Sequence, residues 1–452
     1  MYKRFASPFS RHELSQLAAP GTDTFVDGPF GSSLKSHEYV DSGVRLIQLQ
    51  NIGDGEWRDE NRKFITTKKF KGLERHGAIP GDIAIAKMAD PVARACIVPP
   101  VAEQFVVVAD CIRLRLNRSR FDAGFIVRAI NSHYTRREAE KKAIGSTRIR
   151  INLSVLKTVG CLAPELSEQQ TISMVLDAID TAIHETESII DKLTALKQGL
   201  LHDLLTRGIA DSGELRPTQT VAPHLYKQSP LGWIPREWDV KPLGQVLAGP
   251  TKSGLYKSSQ FHGRGPLMVQ MGGLFAGEAA DFQTATRVQV SPSELQTFGL
   301  SIGDLLFARR SLVFEGAGLC VIVRHLPGPA TFESSIVRVR VREDVTHPEF
   351  VSQFLRGEQS SAQRRTLIRQ VAVSGVSSSD IRQLLIAIPT LAEQNQIVER
   401  KSGVQAQIDS ELKAIAKLRN QRAGLLDDLL TGRVRVTSLL SPLERQPSEG
   451  SA

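Results

Sequence analysis

The sequence predicts an α+β protein: two similar mixed strand-and-helix domains separated by a long antiparallel two-helix coiled coil, related by an internal pseudo two-fold. Three observations predict it. The stretch P-E-L-S-E-Q-Q-T-I, beginning at Pro164, returns as P-T-L-A-E-Q-N-Q-I from Pro389. The apolar-periodic runs that follow end in K-Q-G-L-L-H-D-L-L-T and R-A-G-L-L-D-D-L-L-T. Glu168 and Glu393 are 225 positions apart (393 − 168), as are Thr206 and Thr431 (431 − 206), so neither copy gained or lost a residue between them. A weaker repeat lies upstream. Gly43-Val-Arg-Leu-Ile-Gln48 faces Gly265-Pro-Leu-Met-Val-Gln270, Gly55-Glu56 faces Gly277-Glu278, and Lys35 and Tyr39 face Lys257 and Phe261. Gly81-Asp82 and Lys87 face Gly303-Asp304 and Arg309, and Arg113-Leu-Arg115 faces Arg338-Val-Arg340. A repeat on this scale fixes architecture before any local motif does.

The elements follow in chain order. The first domain spans 1–163; short β-branched runs at 44–50, 82–86 and 112–116 read as strands, and a basic helix is expected near 122–143. A spacer helix follows at 164–207, opened by Ser167-Glu-Gln-Gln170 in capping-box form, with Pro164 harmlessly outside. Residues 208–230 carry Asp211-Ser-Gly, Arg216-Pro and Ala222-Pro and read as a linker loop. The second domain, 231–388, opens at Leu231-Gly-Trp-Ile-Pro-Arg-Glu-Trp238, where two tryptophans announce a core; it has a strand at 336–341 and a helix near 347–368. The second spacer helix is 389–433, and the polar stretch 434–452 reads as a disordered tail.

Both long helices carry a heptad seam. From Ile172 the seam runs Leu176, Ile179, Ile183, Thr186, Ile190, Leu193, Lys197, Leu200, Leu204, eight of ten positions apolar. From Ile397 it runs Lys401, Val404, Ile408, Glu411, Ile415, Leu418, Arg422, Leu425, Leu429, seven apolar, so pairing within the chain is the economical way to bury both. Such a rod of about 40 residues, at about 1.5 Å each, would be near 60 Å long and would act as a ruler between the domains.

Composition narrows function. Lys+Arg of 57 against Asp+Glu of 48 gives +9 and a pI near 9.4, which favours a polyanionic partner. Cys96, Cys111, Cys161 and Cys320 lie too far apart for zinc-ligand spacing and read as reduced, buried thiols of a cytoplasmic protein. The N-terminus lacks the apolar run of a signal peptide, and no stretch would span a membrane. No catalytic site and no metal site is expected. The chain has no phosphate-binding GxxxxGK[ST] loop and no nucleophile–base pair, and Asp90-Pro91 is too degenerate for an adenine-methyltransferase motif. Asp82 and Asp304 read as turn residues. The chemistry that does repeat is basic: Lys35, Lys87, Arg148 and Arg150 in the first copy, and Lys257, Arg309, Arg310, Arg364, Arg365 and Arg369 in the second. Such side chains grip phosphate oxygens or read guanine edges, and they are the candidate nucleic-acid contacts.

The whole pattern resembles one known family, the specificity subunit of type I restriction–modification systems. The resemblance rests on Asp27-Gly-Pro-Phe-Gly-Ser-Ser-Leu-Lys-Ser36 with Gly43-Val-Arg-Leu-Ile, on Gly-Trp-Ile-Pro-Arg-Glu-Trp238, and on both Pro-x-Leu-x-Glu-Gln starts and both Gly-Leu-Leu-x-Asp-Leu-Leu-Thr ends. Ser253-Gly-Leu-Tyr-Lys257 matches its first-copy counterpart only loosely. The resemblance implies two target-recognition domains reading a bipartite, asymmetric site on double-stranded DNA. It also implies that the long helices dock two adenine methyltransferase subunits, and in some systems a motor–nuclease subunit. S-adenosylmethionine, ATP and Mg²⁺ would then belong to those partners, with none bound by this chain. Carried onto the spacer helices, it makes Glu168, Gln169, Leu200, Leu204, Glu393, Gln394, Leu425 and Leu429 the candidate subunit-interface residues. A coiled-coil adaptor whose end domains bind proteins is the alternative.

Overall fold

A computed structural model describes residues 7–29, 33–88, 91–145, 149–311, 316–370 and 374–439, with the side chains at 369, 370 and 374 outside the description. The chain divides into two compact units, Met1–Ser188 with Lys413–Ala452, and Ile189–Leu412. Each unit therefore holds one domain, the first half of the helix that follows it and the second half of the other long helix. The expected partition kept each helix whole; by packing, each is shared.

The two long helices span Leu166–Thr206 and Leu391–Thr431, 41 residues each. Within each unit their halves run antiparallel. In the first, Asp180 pairs with Arg422 and Glu187 with Arg419, so numbers rise on one helix as they fall on the other. In the second, Lys197 Nζ donates to Gln405 Oε1 at 2.7 Å while the Ile209 N–H, just past the first helix, donates to Glu393 Oε1 at 2.7 Å. Every seam position is buried or half-buried, as a heptad stripe requires.

One four-stranded sheet repeats between the domains strand for strand. In the first unit Phe25–Asp27, Cys111–Leu114, Ile83–Ala86 and Ala95–Ile97 form an antiparallel sheet in that order. In the second, Lys252–Ser253, Ile336–Val339, Leu305–Ala308 and Cys320–Ile322 do the same. The register is conserved between copies: Ile83 faces Leu114 and Ala86 faces Cys111, while Leu305 faces Val339 and Ala308 faces Ile336. A second sheet in each unit contains a parallel pair, Val44–Ile47 with Phe105–Val107 and His262–Val269 with Ala330–Phe332.

Asp82 and Asp304 hold the turns that feed these sheets. Asp82 accepts from the Ile79 N–H at 3.1 Å and takes both arms of Arg115; Asp304 accepts from the Ser301 N–H at 2.8 Å and pairs with Arg340. The turn role expected for both is what the structure contains.

Several expectations change. The single basic helix near 122–143 is two, Ala123–Asn131 and His133–Lys142, because Ser132 leaves helical geometry and caps the second. Its counterpart breaks at Gly357 into Pro348–Arg356 and Glu358–Leu367. The linker is partly ordered: Tyr226–Ser229 pairs with Gly232–Pro235 as a hairpin. Of the two tryptophans only Trp238 is core, at 0% exposure, whereas Trp233 is 48% exposed. The tail begins later than expected, since Val436 packs into the first core; positions 440–452 lie outside the described residues.

The four cysteines are buried and unpaired, and burial pushes the Cys96, Cys161 and Cys320 thiols up to about 12. Among the described residues no group of His, Cys, Asp or Glu could hold a metal, and no helix is long and apolar enough to cross a membrane.

Candidate nucleic-acid interface and helix-start locks

The Glu-Gln pair that opens each long helix does the same work in both units. Gln169 is fully buried; its Oε1 accepts from the Asp122 N–H at 2.9 Å and its Nε2 donates to the Pro164 carbonyl at 2.8 Å and the Arg120 carbonyl at 3.2 Å. Gln394 repeats this, accepting from the His347 N–H at 2.7 Å and donating to Pro389 at 3.0 Å and Val345 at 3.2 Å. Each glutamine thus fastens its domain to its helix, through the residue that caps the helix at Ala123–Asn131 or Pro348–Arg356.

The glutamates close on the end of the other helix. Glu168 accepts both arms of Arg435, at 2.8 and 2.6 Å, and the Val436 N–H at 3.3 Å. Glu393 accepts from the Ile209 N–H, from Arg216 and from Trp238 Nε1 at 3.2 Å. Gly208 sits there at φ +63°, where a Cβ would lie 2.2 Å from the Glu393 carboxylate, so only glycine lets the chain turn off the first helix beside it.

These contacts commit the polar members of the expected interface set within their own units. Glu168, Gln169, Glu393 and Gln394 are buried inside the units, Leu204 and Leu429 are core residues, and Leu200 and Leu425 pack half-buried against those cores. The expected cost of Gln169→Ala or Gln394→Ala is about 1–3 kcal/mol, read as a lower denaturation midpoint. Gln169→Glu should cost more, because it turns a carboxylate oxygen toward the Pro164 and Arg120 carbonyls; equal stability of Gln169→Glu and wild type would remove the lock.

The two seam lysines also have partners. Lys401, 3% exposed, and Lys197 both reach Glu278 from the second domain, and Glu278 and Glu349 share Arg324. Burial pushes the Glu278 carboxyl up, but hydrogen bonds from Lys197 and Lys401 outweigh it and hold the pKa down at about 2. The first-copy equivalent, Glu56, makes no such reach and pairs at 3.4 Å with Arg58 on the surface. There Arg128 bridges instead, to Asp177 at 2.6 Å and Asp180 at 2.9 Å, beside an open cleft of about 1690 Å³ also lined by Tyr134, Lys141 and Arg419.

The predicted basic contacts separate by environment. Lys35, Arg310 and Arg365 are exposed and Arg309 is half-buried, with no ion pair to any of them among the described residues. Arg150 is exposed and pairs with Asp110. Three others are committed elsewhere. Lys87 is 9% exposed, 3.0 Å from Asp27. Lys257 lies 2.7 Å from Glu294 and over the Phe261 ring. Arg364 is buried, donates to the Leu355 carbonyl, and has its pKa lowered by desolvation, so it closes the end of a helix and is no free cation. Arg148, the Arg369 side chain and Asp90 lie outside the described residues. Sequence reasoning passed over Arg264 and Arg287, both exposed, on the paired strands His262–Val269 and Thr286–Val288. The signal for Arg264 was its place between Gly263 and Gly265, but Arg287 has none, and charge alone does not mark a site.

No family model matches the chain. Curated relatives and solved structures agree with one another. The chain is 23% identical over 414 residues to the EcoKI type I restriction enzyme specificity subunit of Escherichia coli, covering 87% of this chain and 83% of the relative. It is 22% identical over 294 residues to the MjaVIII specificity subunit of Methanocaldococcus jannaschii, covering 64% of this chain and 65% of that one, and so spans about two thirds of that relative. The HsdS subunit of Thermoanaerobacter tengcongensis has the same fold at 15% identity and a TM-score of 0.50, covering 95% of this chain and 99% of that one. The type I restriction–modification S subunit of M. genitalium shares it at 14% identity and a TM-score of 0.52, covering 95% and 98%. Two repeated domains, each packed on half of both long helices, define the class of fold. In sequence the chain is similar to specificity subunits of type I restriction enzymes, and its fold is that of the HsdS structures.

Proposed function

We propose that this chain supplies the DNA sequence specificity of a type I restriction–modification complex. It reads a bipartite, asymmetric site, one half per domain, and carries two adenine methyltransferase subunits and, where present, a restriction subunit. The supporting observation is the repeat itself: two domains of one register, each locked to the helices by the same Glu-Gln pair, with different side chains on their exposed loops. One fold with two surfaces is what two different half-sites ask for. S-adenosylmethionine, ATP and Mg²⁺ act in the partner subunits, in the cytoplasm. Lys35, Arg150, Arg309, Arg310 and Arg365 are the contacts of the original set whose environment suits phosphate or base edges.

The test is a domain exchange. Replacing residues 1–163 with those of a relative, in the complex reconstituted with its methyltransferase subunits, should change one half of the recognised sequence and leave the other. Mapping methylated adenines in the modified DNA reads this directly. A change in both halves would break the one-domain, one-half-site assignment, and binding without steep salt dependence would remove the phosphate contacts.

A further inference from the structure

The second domain carries an aromatic side chain held out into water, and the first does not. Tyr256 is 82% exposed, while its counterpart in the repeat, Leu34, is buried at 9%. Neither the ring nor the hydroxyl of Tyr256 has a hydrogen-bond or ring partner among the described residues. The fold itself therefore has no need of an exposed ring at this position.

The loop that carries it is fixed. The Gly254 N–H donates to the Ile336 carbonyl at 3.0 Å and the Leu255 N–H to the Phe332 carbonyl at 2.9 Å. A Cβ on Gly254 would lie 2.2 Å from the Glu333 carbonyl, so the chain is pressed against its neighbour just before the tyrosine. Just after it, Lys257 is anchored by Glu294, and its ammonium sits 5.2 Å from the centre of the Phe261 ring. Tyr256 is the free residue between two tied ones. Exposed Arg264 lies on the strand that Phe261 leads into and exposed Arg287 on the strand paired with it, with Arg287 donating to the Gly265 carbonyl at 2.8 Å. A rigidly presented ring loses little entropy on contact, and aromatic faces among basic side chains suit bases held by their phosphates.

We infer that Tyr256 is a base-contacting residue of the second recognition domain, its ring packing on the face of a base in that domain's half-site. This rests on the DNA-reading function proposed above. Side chains that pack on bases in duplex DNA partly unstack a step, which makes the contact sensitive to the sequence of that step.

The experiment compares wild type, Tyr256→Ala and Tyr256→Phe as complexes with the methyltransferase subunits. The probe is a duplex bearing the sequence that wild type methylates. Tyr256→Ala should weaken binding about tenfold or more and relax base preference in one half-site only. Tyr256→Phe should bind as wild type, and all three should have the same thermal midpoint because the ring packs against nothing. Trp233→Ala, which removes an exposed aromatic from the linker hairpin, should change neither affinity nor preference. Wild-type affinity and methylation pattern in Tyr256→Ala would overturn the inference while leaving the proposed function standing. Loss in Tyr256→Phe as large as in Tyr256→Ala would overturn it too, by assigning the contact to the hydroxyl. A wild-type complex with no selective DNA binding would instead overturn the function on which it rests.

Discussion

Glu393→Ala should lower the stability of the second unit by about 3–5 kcal/mol, because it strands a buried cation. Arg216 keeps only 7% of its side chain exposed and Glu393 only 9%, and the same carboxylate takes the Ile209 N–H and the Trp238 indole. Removing it leaves the guanidinium with Glu237, itself 72% exposed, as its one remaining carboxylate among the described residues. The matching change in the first unit, Glu168→Ala, should cost less, about 1–3 kcal/mol, because Arg435 is 41% exposed and can turn to water. Trp238 fluorescence against denaturant reads the first variant and amide exchange in the first core the second. Equal losses in both units would show that burial of the arginine does not set the cost.

Glu278→Ala should have the next largest effect and a distinct pH signature. Among the described residues it leaves Lys401, nearly fully buried, with Glu349 at 3.7 Å as its one carboxylate, and Lys197 with none. The expected loss at neutral pH is about 2–4 kcal/mol, the low side of a broken buried pair because Arg324 and Glu349 stay together. The Glu278 pKa lies at about 2 when folded, against 4.5 for the free group. A depressed carboxyl stabilises the fold fully above its unfolded value and loses that contribution as pH falls from about 4.5 toward 2. Wild type should therefore lose stability through that window. Glu278→Gln should lose less there, with Glu349, whose carboxyl is also held low by Arg324, supplying the remaining acid sensitivity. Denaturation midpoints at pH 7, 5 and 3.5 test this; parallel curves for wild type and Glu278→Gln would mean that Glu278 is not the titrating group.

Much of this fold was legible because it is written twice. The 225-residue separation, the capping-box starts and the heptad seams located both long helices within two residues of their ends. The same doubling identified Asp82 and Asp304 as turn residues. Partnership across sequence distance was not legible. Lys87 looks like a free cation until Asp27, 60 residues earlier, is brought beside it. Glu168 looks like a surface residue of a helix start until Arg435 arrives from 267 positions away. Arg364 sits in a polar, strongly basic stretch, and only packing shows it buried at the end of the preceding helix, against Gly318. Helix breaks at Ser132 and Gly357 were missed because periodicity spans a one-residue cap without changing phase. For the candidate site the outcome is similar: sequence finds the basic residues, and only packing tells which of them are already spoken for.

The sharing of each helix between two units also sets an order of manufacture. Residues Met1–Ser188 leave the ribosome first, yet their unit is completed only when Lys413 onward has been made, including the Arg435 that satisfies Glu168. The second unit, Ile189–Leu412, is a single continuous stretch. The domain synthesised first is thus the last to be finished, and through most of translation it waits with a buried-type carboxylate and an apolar seam unpaired. Chain ends usually tolerate trimming, but here the segment through Val436 belongs to the amino-terminal half of the protein, so a truncation at the carboxyl end is felt at the other end of the sequence.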